Sequence, residues 1–234
     1  MKDKKEYVNS LEDMNREVIL NPNSAKAYNS RGLVKSNLND KKGAIEDYTK
    51  AIEIDSKYSP AYHNRGRERA KLRDIKGAIE DYNNAIEIDP KYVNAYSSRC
   101  IAKYRLKDNL GAIEDANIII GMDPKNEYAY SFRGMVKGIL GDINEAILDL
   151  NKAIEIKPNY IAAYNIRGNM KRNIGDIKGA IEDYTKAIEL DPKYSEAYYN
   201  RGVANLDLNN LNKAYLDWNK AGELGNTKAL DLLK

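Results

Sequence analysis

Small, aromatic and apolar residues return at one fixed interval along this chain. Tyrosines stand at Tyr28, Tyr62, Tyr96, Tyr130, Tyr164 and Tyr198, and alanines at Ala44, Ala78, Ala112, Ala146, Ala180 and Ala214. Glycines Gly32, Gly66, Gly134, Gly168 and Gly202 keep the same step of 34 residues, with one double step of 68 whose midpoint is Cys100. Six units, 25–58, 59–92, 93–126, 127–160, 161–194 and 195–228, follow one another without insertion or deletion. A period of this length marks a stack of like units, each too small to bury both of its faces alone.

Each unit reads as two helices joined by a short turn. In the third unit the pattern predicts a first helix over 93–106 and a second over 109–121. The turn carries Asp40, Asp74, Asp108, Asp142 and Asp176, each placed to cap the second helix by accepting from its free backbone N–H groups. Asp142 with Glu145 fits a capping box, and Ser59-Pro60 fits a cap followed by a first-turn proline. Gly141 and Gly175 sit where a left-handed residue ends a helix. Pro90, Pro124, Pro158 and Pro192 close the units, because proline cannot continue a helix. The pattern also predicts caps for the stack: a lone helix over 7–20, with Met14 and Val18 facing inward, and a truncated helix over 228–234.

The 34-residue period together with the Tyr, Gly, Ala, Tyr/Trp, Ala and Pro columns resembles the tetratricopeptide repeat, and the likeness runs from Ala25 to Lys228. The resemblance implies an all-α, right-handed αα-superhelix, or solenoid, of six helix-turn-helix repeats. It forms one domain over 1–234, with an N-terminal capping segment 1–24 and a short C-terminal cap 229–234. It also implies that the first helices line a concave groove of the kind that binds peptides or extended protein segments.

Two columns depart from the family pattern. The place before the glycine, usually apolar, is always arginine: Arg31, Arg65, Arg99, Arg133, Arg167 and Arg201. A place in the second helix, often aromatic or aliphatic, is always aspartate: Asp47, Asp81, Asp115, Asp149, Asp183 and Asp217. An unpaired arginine beside the tyrosine and glycine columns would be costly to bury. The two columns are therefore expected to form ion pairs at the helix-packing seam, which set register between units more than they add stability.

The resemblance places groove-facing side chains at the second, fifth, ninth, twelfth and thirteenth positions of each unit. Among these, His63, Arg67, Lys71, Tyr104, Arg105, Tyr128, Met135, Asn169 and Arg172 are the expected binding residues. The arginines and Lys71 give a positive bias, the tyrosines supply amphipathic anchors, and Met135 with Ile139 an apolar floor. The expected ligand is an extended protein or peptide segment with acidic residues or a free C-terminal carboxylate, which arginine holds bidentately. Chaperone-binding members of the family use a lysine at the fifth place. Here that place holds Asn29, His63, Ser97, Ser131, Asn165 and Tyr199, so that clamp is not expected.

Composition narrows the alternatives. Of 234 residues, 42% are hydrophobic and 31% charged, as in a globular chain, and the net charge of +3 is too small to argue for nucleic acid. An RNA-binding helical repeat is the alternative reading, but no regular base-reading code recurs. The single histidine and single cysteine leave little for metal binding or nucleophilic catalysis. Cys100, in a glycine column, reads as a small packing residue. The adjacent Glu-Asp pairs point about 100° apart on a helix and cannot act as an acid–base pair. No long apolar run is present, and the charged start at 1–9 does not read as a signal peptide. The sequence thus points to a non-enzymatic, soluble, cytoplasmic scaffold without cofactor or metal. It reads as a monomer or weak homo-oligomer that binds protein, with no membrane contact.

Overall fold

A computed structural model describes the backbone of residues 4–233 and the side chains of residues 8–233. The remaining parts of the predicted caps, Tyr7 as a side chain and Lys234, lie outside the described residues. Among the described residues there are fourteen helices and no strand. They fall into two compact units, 1–122 and 123–234.

The first unit holds α1 (Lys4–Leu20), α2 (Ala25–Asn37), α3 (Lys41–Ile54), α4 (Ser59–Lys71), α5 (Ile75–Ile88), α6 (Val93–Arg105) and α7 (Asn109–Met122). The second holds α8 (Glu127–Leu140), α9 (Ile143–Ile156), α10 (Ile161–Asn173), α11 (Ile177–Leu190), α12 (Ser195–Asp207), α13 (Leu211–Glu223) and α14 (Thr227–Leu232). In each unit a first helix packs against its own second helix, and that second helix against the next first helix. Successive first helices also touch: α2 with α4, α4 with α6, α8 with α10, and α10 with α12. The first helices therefore share one face of each unit, and the second helices form the other.

The hairpin closes where an aromatic ring lies on a glycine. A Cβ at Gly32, Gly66 or Gly168 would press into the ring of Tyr48, Tyr82 or Tyr184, and one at Gly202 into Trp218. These rings fill the space within their own hairpin, and Tyr82 and Tyr184 also reach Ala102 and Ala204 of the next one. The third hairpin solves the same contact differently. Cys100 replaces the glycine, and the residue opposite it is Ala116, where the other hairpins carry tyrosine, leucine or tryptophan. The Cys100 thiol donates to the Ala112 carbonyl at 3.1 Å, and burial pushes its pKa up to about 12, far from a reactive thiolate. Ala116→Tyr alone is expected to overpack this contact at a cost of about 2 kcal/mol. Cys100→Gly in the same chain should recover most of the loss, a coupling that a thermal-denaturation double-mutant cycle measures.

Asp40, Asp74, Asp108 and Asp176 each accept from the backbone N–H three residues on, at 2.9–3.0 Å. That third residue is glycine in every case, and a Cβ there would collide with the aspartate carboxylate. The capping box predicted for the fourth hairpin does not form. Asp142 makes no side-chain cap, and Glu145 instead lies 3.5 Å from Lys137. Ser59 is likewise not a cap: α4 is capped at Tyr58, and Ser59 and Pro60 lie in its first turn. Gly141 and Gly175 adopt φ of 98° and 83°, and Asn39, Arg73, Lys107 and Asn209 take the same left-handed turn without being glycine. At the N-terminal end Val18 is buried and Met14 half-buried.

Candidate functional site

Each hairpin carries an ionic seam. Arg31 meets Asp47, Arg65 Asp81, Arg99 Asp115, Arg133 Asp149, Arg167 Asp183 and Arg201 Asp217, with the closest N–O distances between 2.5 and 2.7 Å. Nε and a terminal nitrogen grip the carboxylate together, as in Arg31 with Asp47 at 2.9 and 2.6 Å. That bidentate geometry suits a planar guanidinium. The same guanidinium stacks over the tyrosine three residues earlier, at 5.2–5.6 Å from the ring centre in all six copies. Its remaining nitrogen reaches back to the preceding second helix: Arg65 to Thr49, Arg99 to Asn83, Arg167 to Asn151 and Arg201 to Thr185.

A second cation, one helical turn after the arginine, completes five of these seams. Lys35, Arg69, Lys103, Lys137 and Lys171 lie 2.8–3.2 Å from the same aspartates. In the sixth hairpin the place holds Asn205, which donates to Asp217 at 3.2 Å. The aspartates are buried and the cations nearly so. The seam is thus architecture, and its charges are not free for a ligand.

The shared face of first helices is where free side chains gather. In the first unit it carries a recess of about 230 Å³ lined by Arg67, Lys71, Ser98, Ile101 and Arg105, with Tyr82 and two alanines beneath. Arg67 and Arg105 are exposed and form no ion pair among the described residues. Lys71 is already engaged: its ammonium lies 2.5 Å from Glu68. Glu68 is buried, also accepts from Ser36 at 2.7 Å, and leaves Oε2 without a hydrogen-bond partner. With Lys71 offset by Glu68, the two arginines leave the recess net positive. Tyr104 stands half-buried on the same helix as Arg105.

Three of the expected binding residues have other work. His63 is only 7% exposed. Nε2 lies 3.0 Å from the Ser98 hydroxyl and Nδ1 3.2 Å from that of Tyr92, so the ring belongs to the seam between two hairpins and not to the open face. Arg172 is paired with Asp207 at 2.5 Å, and Asn169 accepts from Tyr184 at 2.7 Å. The second unit's face therefore presents Tyr128, Ile139 and Leu206 as exposed groups, with Met135 half-buried. Tyr128 is itself bonded to Lys157, at 3.0 Å from its hydroxyl. The positive bias lies on the first unit alone. Glu68 was the missed residue. Its column otherwise reads Val34, Ala102, Val136, Met170 and Ala204, and one charge in an apolar column was the available signal.

Sequence models of the TPR repeat match residues 66–107 and 168–209, and those of the tetratricopeptide repeat match 25–58 and 128–160, together well over half of the chain. The chain belongs to the tetratricopeptide-repeat family. No curated protein matches it. Among solved structures, a tetratricopeptide-repeat protein from Parabacteroides merdae is similar with a TM-score of 0.76 and 21% identity, over 98% of this chain and 93% of that one. The C-terminal part of a TPR repeat-containing protein from Cytophaga hutchinsonii is similar with a TM-score of 0.75 and 22% identity, over 98% and 95%. YrrB, described as a TPR protein with an unusual peptide-binding site, is similar with a TM-score of 0.67 and 20% identity, over 80% and 96%. At these identities the likeness is one of fold. No helix among the described residues is long and apolar enough to cross a membrane.

Proposed function

We propose that this tetratricopeptide-repeat chain is a non-enzymatic protein-interaction scaffold. In this reading the first-helix face of residues 1–122 takes an extended segment of a partner carrying a carboxylate. The observation that carries it is the pair Arg67 and Arg105, two exposed guanidinium groups lining one recess with no ion-pair partner among the described residues. Every other strongly placed arginine discussed above is bound to an aspartate. Ser98 adds a hydroxyl and Ile101 an apolar wall, which together suit an acidic side chain and its methylene stem. Tyr104 offers an adjacent aromatic contact. YrrB, a protein of similar fold, is described as having a peptide-binding site, which supports a peptide as the kind of ligand. Preformed helices hold these groups in place before binding, which lowers the ordering cost of the complex on the scaffold's side.

A fluorescent ten-residue peptide with glutamates spaced by glycine and serine tests the reading by polarisation. Charge reversal by Arg67→Glu with Arg105→Glu is expected to weaken binding by about tenfold or more, with unchanged helical circular dichroism. Binding to the native chain should fall steeply with salt. Equal affinity of native and reversed chains for the peptide overturns the proposal.

A further inference from the structure

Three cations line the recess of the first unit, and among the described residues only Lys71, held by Glu68, has a counter-charge. Arg105 lacks one by register. The spacing of 35 residues that gives Arg172 to Asp207 sets Arg105 against Ala70, an uncharged residue of the same recess. Arg67 is exposed one turn before Lys71 on α4. Burial pushes the pKa of the Tyr82 hydroxyl beneath them up to about 12, while a hydrogen bond with Ser98 and the charges of Arg67 and Arg105 act the other way. Both guanidinium groups therefore lie within electrostatic range of one buried hydroxyl, and the recess around it holds two uncompensated positive charges. A single carboxylate meets half of that demand: it brings one charge and two oxygens, which one guanidinium fork occupies. A phosphomonoester brings a charge of about −1.5 to −2 at neutral pH and three terminal oxygens. Its O–P–O edges suit two guanidinium groups at once. Ser98, held from behind by His63 at 3.0 Å, is a further polar contact on the same wall. Exposed Ile101 suits the carbon stem of the phosphorylated residue.

We propose that the recess between Arg67, Ser98 and Arg105 takes a phosphorylated serine or threonine of a partner's extended segment in preference to a carboxylate, a preference that rests on the binding role proposed above for this face. Each arginine holds one edge of the phosphoryl group, so both are needed for it, whereas a carboxylate engages one fork at a time. Lys71 stays with Glu68, because drawing it away would leave a buried carboxylate unpaired.

The probes are three fluorescent glycine-serine peptides, alike except for one central phosphoserine, glutamate or serine, titrated into the full chain by polarisation at pH 7.5. The phosphoserine peptide is expected to bind about tenfold tighter than the glutamate peptide or better, and the serine peptide not to saturate. Arg67→Gln and Arg105→Gln, each made alone at an exposed position, should both weaken phosphoserine binding about tenfold and glutamate binding less. Between pH 7.5 and pH 5.5 the phosphate gives up its second charge, at a pKa of about 6, so its peptide should lose affinity while the glutamate peptide keeps its own. No saturable binding of the phosphoserine peptide, or affinity no greater than that of the glutamate peptide, overturns the preference. The reading of the face as a site for acidic segments is judged separately, by the glutamate-rich peptide above. Phosphoserine binding that survives Arg67→Glu with Arg105→Glu puts the phosphate elsewhere and overturns the proposal. So does inorganic phosphate that competes at the peptide's own dissociation constant, since that result assigns the recess to the free anion.

Discussion

Asp81→Ala is expected to destabilise the first unit by about 3–5 kcal/mol, the range for removing one partner of a buried ion pair. Asp81 is 1% exposed, accepts from Arg65 at 2.7–3.2 Å and lies 3.0 Å from the Arg69 guanidinium. Removing its carboxylate leaves two guanidinium groups facing each other, with Arg65 mostly shielded from water. The attraction lost matters less than the desolvation left uncompensated. The two readings separate in one further variant. Replacing Arg65, Arg69 and Asp81 together by leucine removes every charge of the seam, and its cost should be much smaller than that of Asp81→Ala alone. Urea unfolding followed by circular dichroism measures both. A triple variant as unstable as the single one would mean that the ionic contacts themselves hold the hairpin together. Arg65 would also lose its bond to Thr49 in the triple variant, so the junction between the first two hairpins should exchange its amide hydrogens faster even where global stability holds.

The period and the hairpins were legible because each rests on local chemistry repeated six times. One doubtful helix boundary is corrected by its counterparts 34 residues away. The Arg and Asp columns were visible as opposite charges at matching places. The second cation was visible too, but only to a reading that places Lys35 one turn after Arg31 and so on the same side of α2. What escaped was contact between neighbouring first helices. These bonds join residues 35 apart, one more than the period: Asn64 with Asn29, Lys71 with Ser36, His63 with Ser98, Asn200 with Asn165 and Arg172 with Asp207. Reading each column as an isolated stripe cannot pair a fifth position with a sixth in the next copy. That one-residue offset is why His63 and Arg172 looked free in the sequence and are engaged in the structure. The failed capping box has a similar origin. Asp142 and Glu145 satisfy a motif, but Glu145 turns to Lys137 on the preceding helix, a contact that the motif does not encode.

His63 gives the chain a pH dependence below neutral. Burial, aided by the charge of Arg67 on the same helix, lowers its pKa from 6.5 to about 4. Tyr82 and Tyr92 flank the ring at 5.9 and 5.1 Å, and the hydroxyls of Ser98 and Tyr92 occupy its nitrogens. None of these groups carries a negative charge at neutral pH to welcome a proton. The unfolded chain therefore protonates first as pH falls, and the folded state loses relative stability. The contribution is fully present above about pH 6.5. It should fall by about 2 kcal/mol by pH 5 and about 3 kcal/mol by pH 4, from the linkage between the two pKa values. As this is the only histidine, a single imidazole signal in a proton NMR titration reads the folded value directly, and titration near 6.5 would refute the shift. His63→Asn supplies the matching control. Asparagine holds the same place as Asn29 and Asn165, where its carbonyl accepts from the next helix at 2.9 Å. In that variant the midpoint of urea unfolding should stay level between pH 7 and pH 5, while the native chain's declines. Equal slopes in the two proteins would place the proton uptake on some other group and remove His63 from the account.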